Sequence, residues 1–422
     1  MDNVYVAAVG MIPFGKYPDK SIKQLTGQVL GSLFRDTPIT KDQLEAAWFS
    51  NAGWGMQTGQ ECIRGQVALM PNGIGEIPVM NVENACAGGS SAFHGAFLGV
   101  AAGAYDIALA IGVEKTFAAP AGADGAAKEK SFNSFLAGTD VEVTVAMIER
   151  MKEEAEKKRK EMEASGEIKK GDGKGGRSPF MDIYASGARA HMENYGTTQE
   201  QIATIAAKNH FHGSLNPNAQ YRFDMSVEEV MNDRLVSHPL TRAMCAPMGD
   251  GAAAAILVSE GMLAKLGIDK PVKVRASILG SAKLSTDRVL PSPIEKAYTV
   301  AGVGPEDIDV AEVHDATAMG ELSQSENLGF CGVGEGGRFA ATGATRIGGS
   351  KPVNTSGGLE CRGHPIGASG LAQIAELTWQ LKGETGKRQV EDARIGLAQN
   401  GGGFVGTGEA AGVVTILEGG AK

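Results

Sequence analysis

The sequence predicts an α/β protein built from two copies of one unit, with an unlike segment inserted between them. Three observations carry this reading. Short apolar runs alternate with small-residue helical patterns along most of the 422 residues. A helix–turn–strand phrase in the first third recurs in the last third. Between the two lies a charged stretch of different composition.

The elements follow in order. Val4 to Gly10 reads as an opening strand, and Ile22, Leu25, Val29, Leu30 and Leu33 mark the apolar face of a helix. Thr40 and Asp42 lead into the strand phrase Leu44 to Asn51. Ile77 to Val82 fits a buried strand. The helix after it carries Ala92, Phe93, Ala96, Phe97, Val100 and Ala101 on one face and stops at Gly103. A Gly-Ala-Tyr-Asp turn and the apolar strand Ile107 to Val113 close the first unit. The second copy has the strand Val272 to Leu279, a helix around Pro293 to Val303, an acidic turn, and the strand Val310 to Val313. A small-residue helix after Gly367, a Gly-Glu-Thr-Gly turn and the strand Ala393 to Ala398 complete it. In the insertion, Glu149 to Lys160 reads as an exposed helix rich in i,i+4 charge pairs. Lys169 to Arg177 reads as a flexible loop, and Tyr184 to Tyr195 and Thr198 to His210 as ordered helices. The expected division is residues 1–116 with 241–268 for the first half, 117–240 for the covering segment, and 269–422 for the second half.

Composition narrows the class. The length is too great for one simple core. Hydrophobic residues make up 42% and charged residues 21%, ordinary for a soluble globular chain, and the net charge of −9 speaks against a nucleic-acid partner. No apolar run reaches the ~18 residues of a membrane span. The N-terminus enters a strand with no basic-then-apolar signal. Five cysteines (Cys62, Cys86, Cys245, Cys331, Cys361) are scattered with no C-x-x-C pair. This suits reduced thiols in a cytoplasmic protein, and no metal site is expected.

Four loops converge as candidates for chemistry. Cys86 lies in Asn84-Ala85-Cys86-Ala87-Gly88-Gly89-Ser90-Ser91, between a strand and a helix. A thiol at a helix start meets free N–H groups and the positive dipole end, which favour the thiolate. A buried structural cysteine is the alternative, and the Gly-Gly-Ser-Ser start favours a nucleophile. His314 stands at the end of a strand, where α/β sheets place their chemistry. His364 sits on a Gly-His-Pro turn ahead of a helix. If the halves pack about a pseudo-dyad, the two helix starts meet and Cys86 faces His364 as a thiolate–imidazole pair. Gln399-Asn400-Gly401-Gly402-Gly403 follows a strand and is either an oxyanion hole or a tight turn. His94, His191, His210, His212 and His238 read as structural or surface residues.

The loops Asn84 to Gly89, His314-Asp315-Ala316, Asn354-Thr355-Ser356-Gly357-Gly358 and Gly363-His364-Pro365-Ile366-Gly367 together resemble the thiolase superfamily. The branch is similar to the sterol-carrier-protein-X thiolases and their bacterial and archaeal relatives, with a His-Asp loop in place of Asn-Glu-Ala-Phe. The resemblance spans nearly the whole chain. It implies the thiolase fold, duplicated βαβαβαββ halves in a five-layered αβαβα core with an inserted lid, and a homodimer. It also implies an acyltransferase that cleaves a 3-oxoacyl-CoA with coenzyme A, or runs the reverse Claisen condensation. Cys86 would attack the 3-keto carbon, and His364 would take its proton. His314 would share the oxyanion hole of the leaving enolate. The N–H of Cys86 and one from Gly402 or Gly403 would hold the other oxyanion. Coenzyme A is then a co-substrate, with no permanently bound cofactor.

Two departures matter. The second cysteine of ordinary thiolases falls at Asn400-Gly401-Gly402, and that of the sterol-carrier type falls at Ala316. His314 and Cys361 are left as candidates for the acid. Relatives with the His-Asp-Ala form often work with a small, separately encoded zinc-ribbon/OB-fold partner subunit, which the resemblance extends to this chain. Two alternative readings are a thiolase-fold carbon–carbon lyase (a retro-aldolase) and a non-catalytic lipid-binding subunit. An aromatic dicarboxylic 3-oxoacyl-CoA is the acyl substrate that family context suggests.

Overall fold

The computed structural model describes residues 2–117, 137–141, 143–145, 179–281, 292–405 and 408–419. Among them are strands β1 (Val4–Met11), β2 (Ala46–Ser50), β3 (Val79–Val82), β4 (Ile107–Glu114), β5 (Leu235–Ser237), β6 (Leu240–Thr241), β7 (Gly251–Ser259), β8 (Val272–Ser281), β9 (Val310–Glu312), β10 (Ile395–Val405) and β11 (Gly408–Glu418). β5 and β6 form a separate hairpin. The others form one sheet in the order β3-β2-β4-β7-β1-β8-β11-β10-β9.

That order is two half-sheets joined by a short antiparallel ladder, Tyr5 with Lys273 and Val6 with Val272. In the first half β3, β2 and β4 run parallel, and β7 and β1 follow antiparallel. The second half repeats the pattern from its far edge. Val353 bridges Ala311 of β9 in parallel, β9 runs parallel to β10, and β11 and β8 follow antiparallel. The duplication inferred from recurring phrases is therefore a duplication of strand order and direction.

Three buried clusters give the layers. On the outer face of the first half, Leu25, Val29 and Leu30 of the helix Ile22–Leu33 pack on Leu109, Ile111 and Ile256. On the outer face of the second, Ala297 and Ala301 of the helix Pro293–Ala301 pack on Leu397 and Ile416. Between the half-sheets lie the helices Gly88–Ala101 and Ser369–Lys382, which bury Phe93, Ala96 and Val100 against Leu371, Ile374 and Leu377. The result is helix, sheet, helix pair, sheet, helix: five layers. Serines set the outer helix starts. Ser21 and Ser292 each accept the N–H three residues on and receive a Gln or Glu side chain in return. A fourth cluster belongs to the insertion, where the helices Pro179–Tyr195 and Gln199–Ser214 pack against Ala318, Met319 and Leu322.

The two central helices touch at their starts. A Cβ on Gly89 would lie 2.9 Å from the Gly367 carbonyl oxygen, and one on Gly370 would lie 2.6 Å from the Ser90 backbone nitrogen. Only glycine permits this approach of backbone to backbone.

Two local expectations change. β3 is a half-exposed edge strand rather than a buried one, because no strand among the described residues pairs with its outer side. Gln399 to Gly403 is not a loop. It lies inside β10, whose ladder continues through Gly401 with Gly412 and Gly402 with Ala411, is interrupted at Gly403, which takes a left-handed φ of 64°, and resumes at Phe404 with Glu409. The expected charged helix at 149–160 and the loop at 169–177 lie outside the described residues. No helix among those described is long and apolar enough to cross a membrane.

Gly370→Ala should lower stability by about 1–3 kcal/mol, the usual cost of forcing atoms into a packed site. Thermal unfolding monitored by circular dichroism checks this, and an unchanged midpoint would mean that the helix starts do not touch.

Candidate active site

Cys86 sits in a tight turn between β3 and its helix. Ala87 and Gly88 donate back to the carbonyls of Asn84 and Ala85, both at 3.0 Å. Ala85 takes a left-handed φ of 47°, uncommon for a residue with a side chain. The Asn84 side chain donates to Ser91 Oγ at 2.9 Å and ties the turn to the helix. Cys86 is thereby held half-buried, two residues ahead of the helix.

His364 arrives from the other half. Its Nε2 lies 3.1 Å from Cys86 Sγ. Its Nδ1 lies 2.8 Å from Ser369 Oγ, and the Ser369 hydroxyl donates to the Pro365 carbonyl at 2.9 Å. With its one proton so used, Ser369 accepts from Nδ1–H, which leaves Nε2 as a lone pair aimed at the thiol. The loop is anchored to the first half where Gly367 N–H donates to the buried Glu114 carboxylate at 3.0 Å, which also accepts from Ala52 and Gly53.

His314 is set by a second chain of the same kind. Ser90 Oγ donates to Asn400 Oδ1 at 2.9 Å, so the Asn400 amide nitrogen faces His314 Nδ1 at 3.0 Å and donates to it. The His314 proton is therefore on Nε2. The two rings stand edge to face with centroids 5.4 Å apart. Cys86 Sγ and one nitrogen of each histidine lie within 4.8 Å of one another. This is the one Cys/His/Asp/Glu grouping among the described residues whose spacing a metal ion would also accept.

Burial fixes the charge states. Burial pushes the Cys86 thiol up to about 12, although the N–H groups of Gly403 and of Cys86 itself pull the other way. The same burial, with help from Arg362, lowers His314 to about 4. His364 falls well below the usual imidazole range from burial, then from His314 and Arg362. The resting pair is a neutral thiol facing a neutral imidazole. Burial thus works against the thiolate expected from the helix start, because the loss of water around sulfur opposes the partial charge of the helix end.

Buried charge holds the loops in place. Arg362 pairs with Glu312 at 3.0 Å, both fully buried, and Ser356 Oγ donates to the same carboxylate at 2.6 Å. Asp315 accepts the Leu359 N–H at 2.7 Å, at the start of the short helix Gly358–Arg362. Cys361 is carried away from the cluster: it is fully buried, with Cβ against Gly213 and Gly357. At Gly402 the contact is one of clearance, since a Cβ there would meet the Ala87 nitrogen at 2.5 Å. The N–H of the next residue, Gly403, reaches Sγ.

A cavity of about 680 Å³ opens beside His314, between the helix Pro179–Tyr195 and the β10–β11 hairpin. Tyr184, His191, Phe404 and Glu409 line it. His191, read from sequence as structural, is a cavity residue paired with Glu326 at 3.1 Å. Sequence reasoning also passed over Ser369, Ser90 and Asn400 as partners of the histidines. Their one signal was position: Ser369 is five residues past His364, and Ser90 opens the cysteine helix.

The chain is similar to known proteins over nearly its whole length. Residues 4–236 match the family model described as thiolase, N-terminal domain, and residues 281–417 match the thiolase C-terminal domain-like model. An acetyl-CoA acetyltransferase of Methanothermobacter thermautotrophicus is 37% identical over 415 residues, 96% of this chain and 98% of that protein. The benzoylsuccinyl-CoA thiolase subunit BbsB of Thauera aromatica is 32% identical over 92% of this chain and 91% of its own. The solved Ltp2-ChsH2(DUF35) aldolase superposes with a TM-score of 0.75 at 22% identity, covering 99% of this chain and 97% of that one.

The charge states predict a pH dependence. The Cys86 pKa is raised, so its thiolate fraction grows as pH rises toward 12. Alkylation of Cys86, followed by peptide mass mapping, should accelerate steadily from neutral to alkaline pH. A flat rate across that range would instead reveal a preformed thiolate–imidazolium pair.

Proposed function

Because this chain belongs to the thiolase family, we propose that the Cys86, His364 and His314 cluster cleaves a 3-oxoacyl-CoA with coenzyme A through an acyl group held on Cys86. The observation that carries this is the 3.1 Å contact of His364 Nε2 with Sγ, in the tautomer that can accept the thiol proton. Attack on the 3-keto carbon moves that proton to His364. The oxyanion on that carbon is met by the N–H groups of Cys86 and Gly403, which already point at the sulfur, with Gly402 supplying the clearance. Breaking the C2–C3 bond leaves the enolate of an acyl-CoA. His314 Nε2–H faces the same centre and stabilises the thioester oxygen of that enolate. Coenzyme A then takes the acyl group, and the proton on His364 returns to Cys86.

The thiol that is neutral at rest suits this scheme. It is ionised only as the substrate carbonyl arrives, so no charge stays buried between turnovers. Coenzyme A enters as a substrate.

The assembly is part of the proposal. A homodimer is the state we expect. A small zinc-ribbon/OB-fold partner subunit is supported by one relative being named a subunit and by a solved neighbour that is titled as an assembly with a DUF35 protein. The five cysteines are all free, which supports a reducing, cytoplasmic setting. The same neighbour is an aldolase, and this favours a second reading, retro-aldol cleavage. That chemistry leaves the Cys86–His364 contact without a task.

Intact-mass analysis after incubation with a panel of 3-oxoacyl-CoAs separates the readings, because only thiolysis leaves an acyl mass on the protein. Cys86→Ala should abolish both the acyl mass and turnover. His314→Ala should slow carbon–carbon cleavage by roughly 10²–10³-fold, the range seen on removing an oxyanion donor. Normal thiolysis by Cys86→Ala would refute the proposal.

A further inference from the structure

Thiolysis, on the reading just given, needs one more group than the cluster supplies. The enolate carbon must be protonated, and the incoming thiol of coenzyme A must lose a proton. His314 is held neutral with its Nδ1 already accepting from Asn400, so giving up its Nε2 proton would leave an imidazolate. Cys361 packs on Gly213 and Gly357, outside the cluster. His191 is engaged by Glu326 and Thr197. Glu409 remains.

The position of Glu409 is built. It lies on β11 opposite Phe404, and its carboxyl folds back over Gly401 and Gly412, which face each other across the ladder. A Cβ on Gly401 would overlap the carboxyl, and one on Gly412 would lie 3.7 Å from Oε2. The absence of a side chain at Gly401 makes the space it occupies, and a Cβ on Gly412 would only be in ordinary contact. Two amides meet it there, Gln399 Nε2 and Gln324 Nε2, each at 3.4 Å. The Gln399 amide is oriented by His314, whose backbone N–H donates to its Oε1 at 3.0 Å. Among the described residues no cation pairs with this carboxyl. Glu409 lines the cavity beside His314, and its charge is close enough to raise the Cys86 thiol.

We propose that Glu409 is the acid–base residue of the carbon–carbon step. The Glu409 carboxylic acid gives its proton to C2 as the C2–C3 electron pair becomes the enolate, and the acyl-CoA leaves. The resulting carboxylate takes the thiol proton of incoming coenzyme A, whose sulfur then attacks the acyl group on Cys86. Collapse expels the Cys86 thiolate, which recovers its proton from His364. Every proton is returned in one cycle, and no outside reagent is required. Burial without a cation pushes Glu409 up to about 7, where the group can serve in both directions.

The test uses the full chain and the isosteric variant Glu409→Gln. Both proteins are incubated with acetyl-CoA and with succinyl-CoA in D₂O. Deuterium entering the carbon next to the thioester reports proton transfer at C2, the acyl mass on wild-type Cys86 tests the thiolysis reading, and alkylation of Cys86 by iodoacetamide reports the nucleophile in both proteins. Glu409→Gln should lose deuterium exchange by roughly 10²–10⁴-fold, the range of general acid–base catalysis, while iodoacetamide still alkylates Cys86 near the wild-type rate, a reaction that needs no proton from Glu409. The exchange rate of the wild type should also depend on a group titrating near 7, a dependence the variant lacks. Exchange at the wild-type rate in the variant would overturn the assignment, as would an equal loss of alkylation, which marks a structural role. If the wild type itself never acylates, the thiolysis reading fails and this role falls with it. If the wild type acylates and the variant exchanges normally, only Glu409 is wrong.

Discussion

The close approach of two helix starts, Gly88–Ala101 from one half and Ser369–Lys382 from the other, is the constraint on which the site depends. Cys86 and His364 lie 278 residues apart in sequence and come within 3.1 Å because Gly89 and Gly370 have no side chains to separate the helices. Ser90, at the same contact, links to Asn400 and through it to His314. One packing event thus places the nucleophile and sets the orientation of both histidines. The burial of Phe93, Val100, Leu371 and Leu377 on either side drives it, since apolar area removed from water is worth about 25 cal/mol per Å².

The site stores little charge at its centre and much around it. Cys86, His364 and His314 are neutral at rest because burial penalises each ionised form. Just behind them lie buried ion pairs, Arg362 with Glu312 and Lys208 with Glu321. Such pairs are weak evidence for stability, but removing one partner leaves an uncompensated charge. Here they hold the His314 strand, the Asn354 loop and the Gly358–Arg362 helix in one arrangement. The ring of paired charge fixes geometry, and the neutral centre is left free to ionise as substrate arrives.

Much was legible in the sequence. Periodicity and turn residues located β1 to β4 and β8 to β10, with the helices beside them, whereas β7 and β11 went unread. The small-residue runs after Cys86 and His364 marked the helices that meet, because only glycine, alanine and serine allow such contact. The loops carrying Cys86, His314 and His364 stood out as strand ends followed by helix starts. Less legible were residues whose meaning depends on a partner far along the chain. Ser369 fixes a tautomer only because Pro365 and His364 lie on either side of its hydroxyl. Gly401 and Gly412 read as turn or strand glycines until the ladder sets them opposite one another beneath Glu409.

The sequence by itself determined the repeating α/β unit, the identity of the three side chains at the centre and the family that uses them. Tertiary structure decided their protonation and their partners. A helix start is a local feature, and read locally it argues for a thiolate at Cys86. The solvent around that sulfur is removed by residues from both halves, and this nonlocal loss of water outweighs the local dipole. The same holds at Gln399 to Gly402, where the start of a glycine run that reads as a turn is held as strand by its pairing with β11. Local pattern is written in neighbouring residues, whereas burial, tautomer and strand pairing are set by which distant segments come to rest against them.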